Sequence, residues 1–284
     1  MPGLPLMVKA ALPAVPGVNL LPGVRRTGTA LPEMSLVRHD VPTDVDHVTA
    51  YAALCGFPRQ DTLPLTYPHL LAFGLHLEIM TDASFPFPAI GTVHLENSIT
   101  QHRRIAATER LQVTARPAHL RPHPKGRAFD LLTTVHSAGE LVWEETSTFL
   151  RRGAGSEAPT GSTRASDEPV AASSGLAWQL PGDLGRRYAA VSGDHNPIHL
   201  YGLTAKAFGF PRQIAHGMWS LARCVGALEN RLPDLVRVDV AFKRPILLPG
   251  SVAFGSRPTD DGYDFSLTTP RTGVPHLVGR TVTA

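Results

Sequence analysis

Between Tyr188 and His199 the chain reads Tyr-Ala-Ala-Val-Ser-Gly-Asp-His-Asn-Pro-Ile-His, a short stretch in which groups able to move protons crowd together. Asp194 and His199 lie close in sequence and differ in natural pKa, one a carboxylate and the other an imidazole. Gly193 permits a tight backbone path before them. Asn196-Pro197 signals a turn between them and the start of a helix, with proline suited to the first helical turn. A pair flanking such a bend can converge on one water molecule and exchange its proton. An isolated Asp-x-Asn-Pro is more often a capped surface helix, so the local pattern alone leaves both readings open. His195 and His199 also have the spacing that would put two imidazoles on one face of a continuous helix, as a metal site needs. The Asn196-Pro197 turn interrupts that face, and no metal is expected.

The elements that must position these groups follow from hydrophobic spacing. Met218, Leu221, Ala222, Val225 and Leu228, continued by Leu232, recur at helical intervals and predict a helix over 215–232, with Pro233 just beyond its end. Val236, Val238, Val240 and Phe242 alternate with Arg237, Asp239, Ala241 and Lys243, which predicts a strand closed by Pro245 and the Pro249-Gly250 turn. The first half repeats this order, with a helix over 68–80 and strands around Val93, Val113 and Val135. Tyr51–Phe57 echoes Tyr188–Asp194 at an offset of 137. At that offset Phe57 stands for Asp194 and Thr62 for His199, so the first half carries no acid–base pair. A second echo, Gly-Phe-Pro-Arg-Gln at 56–60 and 209–213, falls at different distances from the helix in each half and is read as coincidence. Residues 151–176, rich in Gly, Ser, Ala, Thr and Pro and without apolar periodicity, read as a flexible linker between a domain of 1–150 and one of 177–284. The class is therefore α+β, with two copies of a helix-wrapped antiparallel sheet.

Composition narrows the field without choosing an activity. With 43% hydrophobic and 18% charged residues over 284, the chain is neither disordered nor a coiled coil. A net charge of +3 tolerates anionic ligands, and no motif points to nucleic acid. Cys55 and Cys224 stand far apart, which argues against a disulfide framework and for a reducing cytoplasm. Prolines break the apolar stretch Met1–Gly23, a poor fit to a signal peptide, and no run of about 18 apolar residues predicts a membrane span. No nucleotide-binding glycine loop or Gly-x-Ser-x-Gly is present, so neither an organic cofactor nor a serine hydrolase is expected.

The dodecapeptide resembles the signature of the MaoC-like hydratases, also called hydratase 2, with every fixed position of Tyr-x-x-x-Ser-Gly-Asp-x-Asn-Pro-hydrophobic-His present. Ala205–Met218 resembles the second block of that family, and Phe242-Lys-Arg-Pro through Pro249-Gly250 the third. The likeness is strong over 178–284. In outline, Thr66–Phe73 and Phe85–His94 look like the non-catalytic half of such dehydratases. The resemblance implies a double hotdog, two antiparallel sheets each wrapped around a long central helix, forming an intrachain pseudo-dimer that is monomeric or a homodimer. It implies reversible syn addition of water to a trans-2-enoyl thioester of coenzyme A or acyl carrier protein, giving the (R)-3-hydroxyacyl thioester of fatty-acid metabolism. Asp194 and His199 would transfer the protons, Asn196 would brace their loop, and Gly217 at a helix N-terminus would supply the oxyanion-hole N–H. His216 is expected to support the loop. Arg186, Arg187, Lys206 and Arg212 lie near the motifs, where an anionic carrier could meet them. A first half without the pair is free to form a tunnel for a long acyl chain. The competing readings are a non-catalytic hotdog that binds acyl thioesters and a hotdog thioesterase.

Overall fold

Each half lays down a strand, helices and then four strands in the computed structural model, which describes residues 30–58, 60–89, 91–153, 171 and 173–283. The first half runs β1 (Leu36–Val41), α1 (Val45–Cys55), α2 (Pro68–Thr81), β2 (Thr92–Gln101), β3 (Leu111–His123), β4 (Gly126–Ser137) and β5 (Glu140–Arg152). The second runs β6 (Ser173–Leu180), α3 (Leu184–Ser192), α4 (Pro197–Leu200), α5 (Gly202–Ala207), α6 (Gly217–Leu228), a 3₁₀ turn at Glu229–Arg231, β7 (Val236–Phe242), β8 (Gly250–Thr259), β9 (Gly262–Thr268) and β10 (Pro275–Thr283). Strands claim both ends of the expected linker 151–176, and its middle, 154–170, lies outside the described residues, as does Met1–Gly23. No helix among the described residues is long and apolar enough to cross a membrane.

The two expected sheets are joined into one of ten strands, ordered β1-β3-β4-β5-β2-β7-β10-β9-β8-β6. Read inward from either end the order is the same, so the halves mirror each other in topology. The seam is the antiparallel pair β2 and β7, in register from Glu96 opposite Ala241 to Gln101 opposite Val236. Each of these strands would otherwise leave a row of backbone groups unpaired at a sheet edge. Ile99, Val238 and Val240 are fully buried at the seam.

The helices under the sheet are of two kinds. In α6 the predicted stripe Met218, Leu221, Ala222, Val225 and Leu228 is buried, and the tail of the expected helix becomes the 3₁₀ turn. Helix α2 is buried almost all round, His69 and His76 included, which is the signature of a helix enclosed by its own sheet and a neighbour.

The repeated heptapeptides form the C-terminal ends of α1 and α3. Both end on a left-handed glycine, Gly56 at φ 74° and Gly193 at φ 75°, whose N–H returns to the carbonyl of Ala52 or Ala189. Tyr51 and Tyr188 meet across the halves with ring centroids 6.2 Å apart. Beyond the glycines the halves part. In the first, Thr62 bridges Ala106, flanked by bonds from Leu63 N–H to Ile105 and from Ala107 N–H to Asp61. In the second, Ile214 bridges Leu247, flanked by bonds from Ala215 N–H to Ile246 and from Leu248 N–H to Gln213. Thr62 is therefore the counterpart of Ile214 and not of His199. The pentapeptide Gly-Phe-Pro-Arg-Gln leads into this bridge in both halves, so its recurrence is not the coincidence that linear spacing indicates. In the first half the two echoes share Gly56. In the second they are separated by the stretch from Gly193 to Gly209, which holds Asp194, Asn196 and His199. The first half lacks the pair because it lacks that segment.

Helix α6 clamps the end of α1. Trp219 donates its indole N–H to the Leu54 carbonyl and Arg223 donates to that of Cys55, both at 3.4 Å, while the guanidinium lies 4.3 Å from the Trp178 ring centroid. A cation is favoured at a helix C-terminus and over an aromatic face. Arg223→Ala is expected to lower unfolding stability by about 1–2 kcal/mol, read from a shifted urea midpoint at unchanged slope; an unmoved midpoint contradicts the clamp.

Candidate active site

Three polar side chains in succession wind the loop that follows α3. Ser192 Oγ accepts the Asp194 N–H at 3.1 Å, Asp194 Oδ1 accepts the Asn196 N–H at 3.0 Å, and Asn196 Oδ1 accepts the Ile198 N–H at 3.4 Å. Each side chain thus captures the N–H two residues ahead, the mechanism by which such residues make turns. Asn196 is the N-cap of α4, with Pro197 in its first turn. The result brings Asp194 and His199 to one side of the loop and leaves His195 exposed on the surface. The expected bracing by Asn196 is a helix cap.

Hydrogen bonds also fix the rings. His199 donates its Nδ1–H to the Ile214 carbonyl at 2.8 Å, so in the neutral ring the lone pair is on Nε2. His216 donates its Nε2–H to the Asp194 carbonyl at 3.0 Å and stacks on His199, with centroids 3.7 Å apart. A carboxylate oxygen of Asp194 and a ring nitrogen of each histidine lie within 4.8 Å of one another. One water making two bonds of about 2.8 Å at a tetrahedral angle spans such a gap. These three are also metal-ligand types, yet the two stacked rings hold their in-plane lone pairs in near-parallel planes 3.7 Å apart at the centroids, a poor arrangement for sharing one ion.

Burial sets the charges. Desolvation alone would raise the Asp194 pKa, but His216, His199 and the Asn196 N–H outweigh it and hold the carboxylate below its usual range. Desolvation pushes His199 down against the opposing pull of Asp194. His216 is pushed down to about 3 by burial and by His199. The state at neutral pH is one carboxylate beside two uncharged imidazoles. Asp194 keeps 27% of its side chain exposed and lines a cavity.

That cavity, about 450 Å³, is lined by both halves and includes Asp194, His199 and Gly217. Gly217 opens α6, where His216 offers no side-chain cap, so the N–H groups of the first turn are left for a ligand. A Cβ on Gly217 would stand 3.2 Å from the Phe242 ring, in the space a ligand needs to reach the backbone. Asp194, His199, Asn196 and Gly217, nominated from sequence, thus share one site. Arg186, Arg187, Lys206 and Arg212, none of which the sequence assigns to the site, are not among its lining residues. Arg186 instead donates to the Leu200 carbonyl at 3.0 Å and covers Tyr201. The basic residues of the wall are Lys125, Arg152, Lys243 and Arg244, from a hairpin turn, a strand end and the segment after β7, which no sequence motif brings together. Sequence also gave no sign of Gly185, whose added Cβ would stand 1.9 Å from the His199 carbonyl oxygen.

A fused ten-stranded double hotdog, with an Asp–His pair facing an uncapped helix N-terminus, defines a protein of the MaoC-like class. The chain belongs to the MaoC-like dehydratase family: residues 165–258 match the family model described as MaoC like domain. It is 39% identical over 279 residues to 3-hydroxyacyl-thioester dehydratase X of Mycobacterium tuberculosis (strain ATCC 25618 / H37Rv), covering 97% of this chain and 96% of the relative. The crystal structure of HtdX of M. tuberculosis aligns with a TM-score of 0.78 at 37% identity, over 88% of this chain and 100% of that one. A MaoC-like dehydratase from Phytophthora capsici, 17% identical, shares the fold at a TM-score of 0.72 over 89% of this chain and 96% of its own.

The close approach at Gly185 yields a paired test. Gly185→Ala must displace the His199 backbone and is expected to cost about 1–3 kcal/mol, whereas Gly182→Ala, whose Cβ meets nothing nearer than 3.6 Å, should stay within about 0.5 kcal/mol. Equal melting temperatures for the two variants would show that α3 does not press on the His199 segment.

Proposed function

We propose that this protein adds water reversibly to trans-2-enoyl thioesters, forming (R)-3-hydroxyacyl thioesters, with Asp194 and His199 as the catalytic pair that holds the water between them and His199 as the group that carries its proton. The observation that carries the reading is an ionised carboxylate and a tautomer-fixed imidazole spaced for one water, on a cavity shared with the open N-terminus of α6. The M. tuberculosis relative is named as a 3-hydroxyacyl-thioester dehydratase.

Asp194 accepts one O–H of the bound water, and His199 Nε2 accepts the other. As the water oxygen bonds the β-carbon, His199 takes the proton and charge moves onto the thioester oxygen. The Gly217 N–H, at the positive end of the α6 dipole, stabilises that charge. His199 then returns the proton to the α-carbon on the same face, and the net change is syn addition of one water. Dehydration is the reverse. Asp194 remains ionised throughout and offsets the transient imidazolium. His216 acts through the loop as a positioning residue.

The basic wall residues Lys125, Arg152, Lys243 and Arg244 suit the phosphates of coenzyme A or of acyl carrier protein. In this reading 177–284 is the catalytic hotdog and 1–150 the non-catalytic one, holding acyl chain. Their pairing lets the chain work as a monomer or as a dimer of pseudo-dimers. The setting is the reducing cytoplasm, in line with the free, buried thiols of Cys55 and Cys224.

Hydration followed by loss of enoyl absorbance, with chiral analysis of the product, tests the assignment. Asp194→Asn and His199→Ala should each lower kcat/KM by about 10²- to 10⁴-fold; near-parental turnover in both sinks it. The pH profile gives an independent check. His199 must be uncharged to accept the water proton, and burial lowers its pKa from 6.5. Hydration should therefore hold steady as pH falls through 6.5 and decline only below it. An acid limb centred at or above that value argues for another base.

A further inference from the structure

The first half contributes to the same cavity wall a set of polar side chains that the proton transfers do not use. His69 of α2 lies with Nδ1 at 2.9 Å from both carboxylate oxygens of Glu145. Asn97 donates its amide to Glu145 at 2.7 Å and to Ser147 Oγ at 2.9 Å, so the carboxylate is held from behind. The Glu145 side chain is fully buried. Burial would raise its pKa, but the neighbouring His69 and the hydrogen bonds from His69 and Asn97 overcome that and hold it at about 2. Taking an ion this far from water costs several kcal/mol, and retention of the pair as a stability device is a weak explanation, because apolar residues fill such space at least as well. What the pair does is orient one ring. Nδ1 is committed to Glu145, and Nε2 is the nitrogen of His69 left to the cavity that the residue lines. A carboxylate behind an imidazole fixes its tautomer and strengthens its hydrogen bonding in the same way at catalytic and metal sites.

The surroundings are polar as well. His76 lies 5.5 Å from His69 by ring centroids and bonds Thr133, and His94 stacks on Phe149 and lies tilted against Phe242. Burial keeps both uncharged, at about 4 and about 3. A channel meant for hydrocarbon alone gains about 1.5–3 kcal/mol for each buried Leu or Phe, and three imidazoles forgo that gain. The place is also defined. The Phe242 ring that stands over Gly217 has its centroid 4.9 Å from that of His94. The polar wall therefore begins one ring from the oxyanion end of the site, on the side of the first half, which holds the acyl chain in this reading. A second carboxylate placed there would meet the Glu145 charge, so the matching group is uncharged.

We propose that His69, oriented by Glu145, is a specificity-determining residue whose Nε2 accepts a hydrogen bond from a hydroxyl group on the acyl chain beyond the reacting carbons. The proposal rests on the hydratase reading, and its test separates the two. The full chain is assayed with crotonyl-CoA, with trans-2-decenoyl-CoA and with monohydroxylated isomers of the latter. If crotonyl-CoA is not hydrated, the hydratase reading fails and this proposal with it. If it is, the parent should favour at least one hydroxylated isomer over the plain chain by about tenfold in kcat/KM, the worth of one hydrogen bond to a buried partner. His69→Phe should bring that ratio to one or below. Should His69→Phe fail to fold, Glu145→Gln, which keeps the shape and removes the charge, should at least halve the ratio. Equal use of plain and hydroxylated chains by the parent overturns the proposal. So does a parental ratio in His69→Phe or, where that variant does not fold, in Glu145→Gln.

Discussion

The hydrogen bond from His216 Nε2–H to the Asp194 carbonyl ties together two elements separated by 22 residues of sequence, the loop after α3 and the start of α6. It holds the backbone of the acid beside the helix end that awaits the thioester oxygen. The same ring stacks on His199, and His199 is pinned in turn by the Ile214 carbonyl immediately before α6. Base, carboxylate and oxyanion donor are therefore referred to one rigid point, the N-terminus of a buried helix. A hydrogen bond made with a backbone carbonyl fixes position without spending either carboxylate oxygen, and both remain for water and for the Asn196 N–H. Preorganisation of this kind is what lets a few polar groups act at once in a cavity.

The halves divide the labour because they differ by one segment. Both bring a helix to a left-handed glycine, pack a tyrosine against its counterpart and cross a single bridge into the central helix. Only the second half interposes α4 and α5 before the bridge. That interposed stretch overhangs the cavity and supplies the chemistry, while the first half supplies wall. The all-round burial of α2 follows: a central helix with no overhang of its own is enclosed by its sheet and by the neighbouring half.

How much of this was legible in the sequence depended on the range of the interaction. The α6 stripe and the alternation in β7 are consequences of local burial, and residue spacing reports them directly. The loop chemistry was legible too, because Ser192, Asp194 and Asn196 act on N–H groups two residues away. Long-range facts were hidden. The fusion of the two sheets depends on β2 meeting β7, and the spacing within either strand is the same whether its edge is open or paired. The counterpart of Thr62 was misplaced because a constant offset cannot register an insertion, and the bridge to Ala106 was needed to correct it. Gly185 gave no signal, since what requires glycine there is a carbonyl oxygen met only after the chain has turned back. The basic wall residues likewise come from separate turns and strand ends in both halves.

The seam between β2 and β7 has a further meaning. When two identical subunits pair through such an edge, every substitution is made twice, and a side chain that would improve one pocket must be tolerated in the other. Here the partners are successive stretches of one polypeptide, so the requirement of equivalence is lifted. His69 and the Glu145 behind it exist once and serve one pocket, with no copy forced beside a second catalytic loop. Covalent linkage has in this sense released each side of the molecule to change by itself, and the ladder of backbone bonds along the seam keeps the two sides matched while they do so.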